Sequence, residues 1–351
     1  MSAGDEKGAP VLFVIEVTDE DRHRVEGTVE ELAARHASAE DPGLLDEITL
    51  AAQELPRALR ERANRFRLHE PSGGCLFSGF RVDDGIGPTP AVWNAAGPGA
   101  TLREDLRLLL CGALLGDPIA WATQQEGRLV HDVIPIKGHE NEQLNSSTTE
   151  PLWWHTEDAF HPYRADYVGL ACLRNPDAAE TTLAHFDDLG LDEETAGLLA
   201  EPHYVIRPDE SHLPKNRRDD DRPDVPAELL ARGLARIERM NTSPERTAVL
   251  FGDPRAPYGR LDPYFMEQED ADPRAARAFD TLVARIDARL RSVVLTPGDV
   301  LFIDNYKAVH GRRPYAARYD GADRWLRRIN VARDLRKSRD ARTAPAARVI
   351  F

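Results

Sequence analysis

The chain has 351 residues, 41% hydrophobic and 30% charged, with a formal net charge of −15. That length allows one large core or two modest domains, and the composition is that of a soluble globular protein. The acidic balance argues against general nucleic-acid binding, and no run approaches the roughly 18 apolar residues of a membrane span. Cys75, Cys111 and Cys172 are widely spaced among apolar neighbours, so they predict small core residues rather than a disulfide framework or a zinc ribbon. Met1 to Pro10 lacks the basic-then-apolar layout of a signal peptide, which makes the cytoplasm the expected compartment.

In chain order, Thr18 before Asp-Glu-Asp predicts an N-cap with an acidic first turn, opening a helix through about Arg35. Helical spacing resumes from Leu44 to Phe66, interrupted near Pro56. Gly74–Val82 has strand character, and Leu102–Leu115 returns to helical spacing. From Ile119 onward short strand-like runs dominate: Ile119–Thr123, Leu129–Ile136, Trp153–Glu157, Tyr167–Leu173 and Thr181–Phe186. Glu193–Leu199 reads as a short helix and His203–Ile206 as a strand. Lys215–Val225 is polar and aperiodic, which suits either a solvated loop or a mobile lid over a site. Val249–Phe251, a helix over Ala271–Leu290 and Ser292–Leu295 lead to a tight turn at Pro297-Gly-Asp299, feeding the apolar strand Val300–Asp304. The basic stretch Arg312–Arg348 is interleaved with Tyr315, Trp325, Leu326, Ile329 and Val331, so it reads as a folded segment with a solvated basic face.

Helices at the front and many short strands behind them predict a mainly β fold, a sandwich or jelly roll with flanking helices. A doubly wound sheet fits less well: strands and helices do not alternate, and no Gly-x-Gly-x-x-Gly opens a helix.

Two His-x-acid pairs stand out, and with 11 His and 60 acidic residues about two are expected by chance. His185-Phe-Asp187 runs into the start of the predicted helix at 193, so its carboxylates read as turn and capping groups. His155-Thr-Glu157 follows the bulky Leu152-Trp-Trp154, and residues two apart on a strand face the same side. With His310 at the mouth of the Val300–Ile303 strand, they make two imidazoles and one carboxylate, a set that caps one face of Fe(II) and leaves the other open. The same set suits zinc, but a zinc hydrolase has no use for an arginine beside its metal. Alternation along Arg324-Trp-Leu-Arg-Arg328 puts Arg324 and Arg328 on one side, where a guanidinium can grip the carboxylate of a bound acid.

These residues also carry a resemblance. The segments around Trp121–Gly127, Asp132–Gly138, Trp154–Phe160, Pro162–Leu170, Leu173–Asp177, Ile206–Leu213 and Phe302–Asn330 resemble, in order and spacing, the clavaminate synthase-like branch of Fe(II)/2-oxoglutarate-dependent oxygenases, nearest to the free L-arginine hydroxylases. The likeness covers about residues 50 to 340. It implies a double-stranded β-helix (jelly-roll) core over about 71–335, a helical region over about 15–70 and a lid-like insert over about 212–245, all within a single domain over 1–351. It implies Fe(II) on His155, Glu157 and His310, with 2-oxoglutarate and O₂ as cosubstrates. Arg328 matches the arginine that grips the distal carboxylate of 2-oxoglutarate, with Arg324 nearby and Thr181 as its hydroxyl partner. Gln124, Asn145, Glu157, Asp209 and Ser211 fall among the amino-acid contacts. Asp262 matches one of two acids that cradle a guanidinium, while Tyr264 stands where the second would be. The implied activity is hydroxylation at C3 or C4 of a free basic amino acid, L-arginine first, in antibiotic biosynthesis. A desaturase, or a hydroxylase of lysine or of a cyclised arginine of the capreomycidine or enduracididine type, is the alternative. The implied partner is a small-molecule amino acid, with no nucleic acid and no membrane.

Overall fold

In the computed structural model, which describes residues 11–97, 99–140, 143–187, 189–212, 226–267 and 272–351, two sheets face each other across an apolar interior and helices cover their outer faces. The chain enters through β1 (Phe13–Glu16), α1 (Asp19–Arg35), α2 (Pro42–Glu54) and α3 (Arg57–His69), then β2 (Gly74–Ser78) and α4 (Leu102–Ala113). Thr18 and Asp21 close a reciprocal capping box at the start of α1. Leu55 and Pro56 separate α2 from α3, because proline lacks the N–H that would continue the helix. Five strands follow: β3 (Asp117–Trp121), β4 (His131–Val133), β5 (Leu152–His155), β6 (Tyr167–Arg174) and β7 (Glu180–His185). Next come α5 (Glu193–Leu199), β8 (Tyr204–Ile206), α6 (Ala227–Thr242), β9 (Arg246–Thr247), β10 (Leu250–Asp253), β11 (Ala256–Gly259) and β12 (Met266–Glu267). The remainder holds α7 (Pro273–Asp287), β13 (Arg291–Val294), β14 (Val300–Asp304), β15 (Ala308–Arg312), β16 (Trp325–Ala332) and β17 (Val349–Ile350).

The larger sheet runs β1-β2-β14-β6-β16-β3-β17, with β4 also paired to β16, and the smaller runs β13-β7-β15-β5. Strand alternation sorts the side chains between them. Leu301 and Ile303 of β14 meet Leu170, Cys172, Leu183 and Leu326 between the sheets. Val300 and Phe302 point the other way, into the core beneath the front helices with Leu106 and Leu109. On the smaller sheet, Trp154, Ala184 and Val309 face outward onto Leu199, Phe279 and Leu282 of α5 and α7. This is the jelly roll with flanking helices that the strand count predicts. The three cysteines are buried and free, and burial pushes Cys111 and Cys172 up to about 12, as inert core thiols require.

Some boundaries differ from expectation. The run Leu129–Ile136 contributes only His131–Val133 as strand, and β5 stops at His155 rather than Glu157. His310 belongs to a strand of its own, β15, not to the end of the preceding apolar one. The segment read as a possible lid, Lys215–Val225, lies outside the described residues; α6 follows it, with only Gly233 and Ile237 buried. Close contact between β5 and β15 depends on Gly311. A Cβ there would sit 2.6 Å from the Leu152 carbonyl oxygen and 3.0 Å from the Trp154 nitrogen.

Candidate metal centre and its cavity

Antiparallel pairing of β5 with β15 sets His155 directly opposite His310, ring centroids 4.7 Å apart. A shared strand does not bring Glu157 to them, because Glu157 sits in the turn after β5. Asn305 does. Its Oδ1 accepts from the Glu157 backbone N–H at 2.6 Å, and its Nδ2 donates to the carbonyls of Glu157 at 3.0 Å and Ala165 at 2.9 Å. The next residue, Asp158, takes φ 50°, a left-handed turn seldom adopted outside glycine. Its carboxylate is fixed by the Trp121 indole N–H at 2.6 Å. The Glu157 side chain therefore points back toward both imidazoles.

Glu157 Oε2 lies 3.6 Å from His155 Nε2 and 3.3 Å from His310 Nε2, and the three ligand atoms fall within 4.8 Å of one another. The His155 Nδ1–H donates to the Trp153 carbonyl at 2.8 Å, leaving the Nε2 lone pair for an ion. Donor type, spacing and tautomer all fit a divalent iron capped on one face. Burial alone would raise the Glu157 carboxyl, but Arg328 and the two imidazoles outweigh it and hold it well below the usual range. Burial also disfavours protonated His155, yet Glu157 and Asp262 hold it up at about 9; His310 goes the other way, lowered by burial and by His155. An incoming cation therefore displaces a proton from this pair.

An open-mouthed cavity adjoins the triad. Gln124, Asn145, Asp209, Ser211, Asp262, Tyr264 and Arg328 all line it, together with Trp93, Trp153 and His131. Arg324 and Thr181 do not line it: they lie off the cavity, with Arg324 Nη2 donating to Thr181 Oγ1 at 3.5 Å. Arg328 donates to Glu157 Oε1, to Gln124 Oε1 at 3.2 Å and to His131 Nδ1 at 2.9 Å. Burial pushes Asp262 up to about 6, with His155 opposing and Asp209 reinforcing the shift. A second acid–imidazole group, Asp158, Asp209 and His212, is already engaged. His212 bonds Asp158 at 2.9 Å and Thr123 at 2.7 Å, and Gln124 donates to Ser211 at 2.7 Å, so the group works as a clasp on segment 209–212. Asn305 and His131 are the site residues that sequence reasoning missed. For Asn305 the sequence shows only an amide straight after an apolar strand, with nothing that links it to Glu157.

Residues 112–330 match the taurine catabolism dioxygenase TauD, TfdA family. The chain is 47% identical, over 95% of its length and 98% of the relative's, to an L-ornithine/L-arginine 3-hydroxylase of Catenulispora acidiphila. It is 44% identical to an enduracididine beta-hydroxylase of Streptomyces hygroscopicus, covering 97% of this chain and all of that one. Among solved structures, the non-heme iron oxygenase OrfP in complex with Fe, succinate and (3S)-hydroxy-L-Arg superposes with a TM-score of 0.90 at 44% identity, over 96% of this chain and 99% of that one. Among the described residues, no helix is long and apolar enough to cross a membrane. With a jelly-roll core, a His-Glu-His triad and relatives matched along nearly their whole length, this chain belongs to the TauD/TfdA family, in its clavaminate synthase-like group of Fe(II)/2-oxoglutarate oxygenases.

Proposed function

We propose that the protein is an Fe(II)- and 2-oxoglutarate-dependent hydroxylase of a free basic amino acid, L-arginine foremost, oxidising C3 or C4. The observation that carries this reading is the charge pattern around the triad: one guanidinium, Arg328, shares the cavity wall with the carboxylates of Asp209 and Asp262, while that of Asp158 is already held by His212 and Trp121. An amino acid with a cationic end complements all of them, with its carboxylate at Arg328, its ammonium toward Glu157 and Asp209, and its far cation at Asp262. The relatives' names, an ornithine/arginine 3-hydroxylase and a β-hydroxylase, favour C3.

The geometry also favours a change in the roles expected of the two arginines. Arg328 already faces the cavity and is neutralised by Glu157. Arg324 is buried, contacts Thr181 at 3.5 Å, and its Nε has no partner among the described residues. A buried guanidinium without a carboxylate costs several kcal/mol until an anion arrives. We therefore assign the distal carboxylate of 2-oxoglutarate to Arg324 and Thr181, and the amino-acid carboxylate to Arg328.

When bound, the iron and keto acid supply the oxidising chemistry, converting 2-oxoglutarate and O₂ to succinate and CO₂ while one oxygen atom reaches the substrate. This chain's residues have a different task. Gln124 and Ser211 hold Asp209 and the adjoining segment, Asp262 fixes the far end, and the carbon between the two ends meets the metal face. No acid or base is needed at that carbon, so placement decides the product.

Incubation with Fe(II), O₂, 2-oxoglutarate and L-arginine tests the reading: arginine should gain one oxygen while succinate appears in equal amount. Product formed at full rate without O₂ or 2-oxoglutarate would sink it, and a loss of two hydrogens would make the enzyme a desaturase. Tyr264, 53% exposed at the cavity and beside the single carboxylate of Asp262, favours a second reading in which ornithine or a cyclised arginine is preferred. Comparing kcat/KM for these amino acids with that for arginine and lysine decides between them.

A further inference from the structure

β4 and β16 pair so that His131 stands directly opposite Arg328, and Asp132 directly opposite Arg327. Successive residues point to opposite faces, so two adjacent pairs lock the same register from both sides. On the outer face, Arg327 is ion-paired with Asp132 and with Asp105 of α4, the latter at 2.8 Å, and Asp132 also accepts from the Trp325 indole at 2.9 Å. On the inner face, His131 and Arg328 meet beside the metal triad.

The His131 ring is almost wholly buried, and both nitrogens are spoken for. Its Nε2–H donates to the Arg128 carbonyl at 2.8 Å, which makes Nδ1 the acceptor, and Arg328 Nη2 donates to that Nδ1 at 2.9 Å. Arg328 thus touches three groups from three segments: Glu157, Gln124 and His131. Glu157 is committed to the metal, and Gln124 also donates to Ser211. His131 alone among them holds neither the metal triad nor the 209–212 segment. Burial, helped by the neighbouring guanidinium, pushes its pKa down to about 3, so the acceptor is not lost by protonation at working pH.

We infer that His131 is a positioning residue: a tautomer-fixed, neutral imidazole that holds the Arg328 guanidinium in the plane needed to receive the substrate carboxylate, in a register secured by Asp132–Arg327. The inference rests on the reading that Arg328 binds the amino acid. With both ring nitrogens engaged, by the Arg128 carbonyl and by Arg328, His131 acts through the arginine.

The test compares H131L, which has no acceptor, with H131N, which keeps one near the Nδ1 position. Anaerobic binding of the amino acid and of 2-oxoglutarate to the Fe(II) enzyme is measured separately, with thermal melting as the control for folding. Loss of a hydrogen bond to a charged group weakens amino-acid binding roughly 10- to 100-fold in H131L. H131N recovers most of that, and 2-oxoglutarate binding changes little in either. In an R328K background, H131L adds little further loss, as expected for two residues acting as one unit. If H131L does not fold, H131M, flexible and of similar volume, carries the same comparison. Wild-type amino-acid binding in H131L or H131M overturns the inference, as does equal loss of both ligands or an undiminished loss in R328K. R328K that binds amino acid normally but 2-oxoglutarate poorly would instead overturn the assignment of Arg328, which keeps the two failures apart.

Discussion

His155 with Glu157 and His185 with Asp187 flank the same strand. β15 pairs with β5 on one side, setting His310 against His155, and with β7 on the other, setting Ala308 against His185. Both pairs sit where a strand ends and the chain turns. Beyond His155, Asn305 clamps the backbone of Glu157 and the carboxylate swings back to two imidazoles. Beyond His185, Phe186 drops into the outer core and Asp187 pairs with Lys307 at 2.8 Å. The same three-residue pattern is a metal arm in one place and a surface anchor in the other. What separates them is a third ligand across the sheet and an amide that holds the turn.

The largest expected effect breaks the first pair. Glu157→Ala or His310→Ala removes one of three ligands, and succinate formation falls below detection because the remaining pair no longer caps a metal face. His185→Ala leaves turnover within about twofold of wild type, since substitutions away from the site act weakly on it. Activity lost equally in both would erase the distinction drawn between the pairs.

Asn305→Ala sharpens the comparison at the clamp. It leaves the ligands in place but frees the turn that aims Glu157, and it orphans a buried N–H. Groups that orient metal ligands typically cost about 10- to 100-fold in affinity when removed, and that is the fall expected in an anaerobic Fe(II) titration. Unchanged iron affinity would mean that the turn holds itself, through the φ of Asp158 and its bond to Trp121.

The difference also appears in pH dependence. Asp262 faces the His155 side of β15, and burial lifts it to about 6. A cationic end group binds its ionised form, so binding is complete above that value and KM for arginine climbs as pH falls through it. The climb approaches about tenfold per unit once the acid form dominates. Asp262→Asn raises KM at every pH and flattens the dependence. A wild-type KM that stays level from pH 7 to 5 would show that Asp262 carries no substrate charge.

How far the sequence discloses this arrangement depends on how local each signal is. The jelly roll was legible from strand count and turn residues, and inward alternation correctly placed Leu326 and Arg328 together on β16. The triad was legible as residue types, but the reason Glu157 joins it was not. Strand alternation suggested a shared face, whereas the actual cause is Asn305, 148 residues away in sequence. His131 was hidden for the same reason, since its meaning comes only from its register with Arg328. The roles of Arg324 and Arg328 could not be separated by spacing either. Both guanidiniums lie on the inner side with Leu326, as alternation predicts, and only the groups they meet across the sheets, Thr181 for Arg324 and Glu157 for Arg328, tell them apart. Pairings that cross the sheet carry the site's specificity, and they leave no short-range trace.

The smallest expected effect tests the other end of β15. In Asp187→Asn, Lys307 loses the charge of its 2.8 Å partner, and because the lysine side chain is only 5% exposed the loss resembles breaking a buried pair. Glu70, however, lies 3.5 Å from the same ammonium and remains to compensate it. Exposure of Asp187 at 31% further lowers the value of the pair. These offsets bring the cost from the several kcal/mol of an orphaned buried charge to about 1 kcal/mol, or roughly 2 °C in melting temperature for a chain of this size. Iron affinity and kcat/KM should not move, because Ala308 and Val309 separate this anchor from His310 along β15 and neither can transmit a change of charge. A drop in iron affinity matching the drop in stability would show instead that β15 responds as one rigid rod, with the second His-x-acid pair holding the first in place.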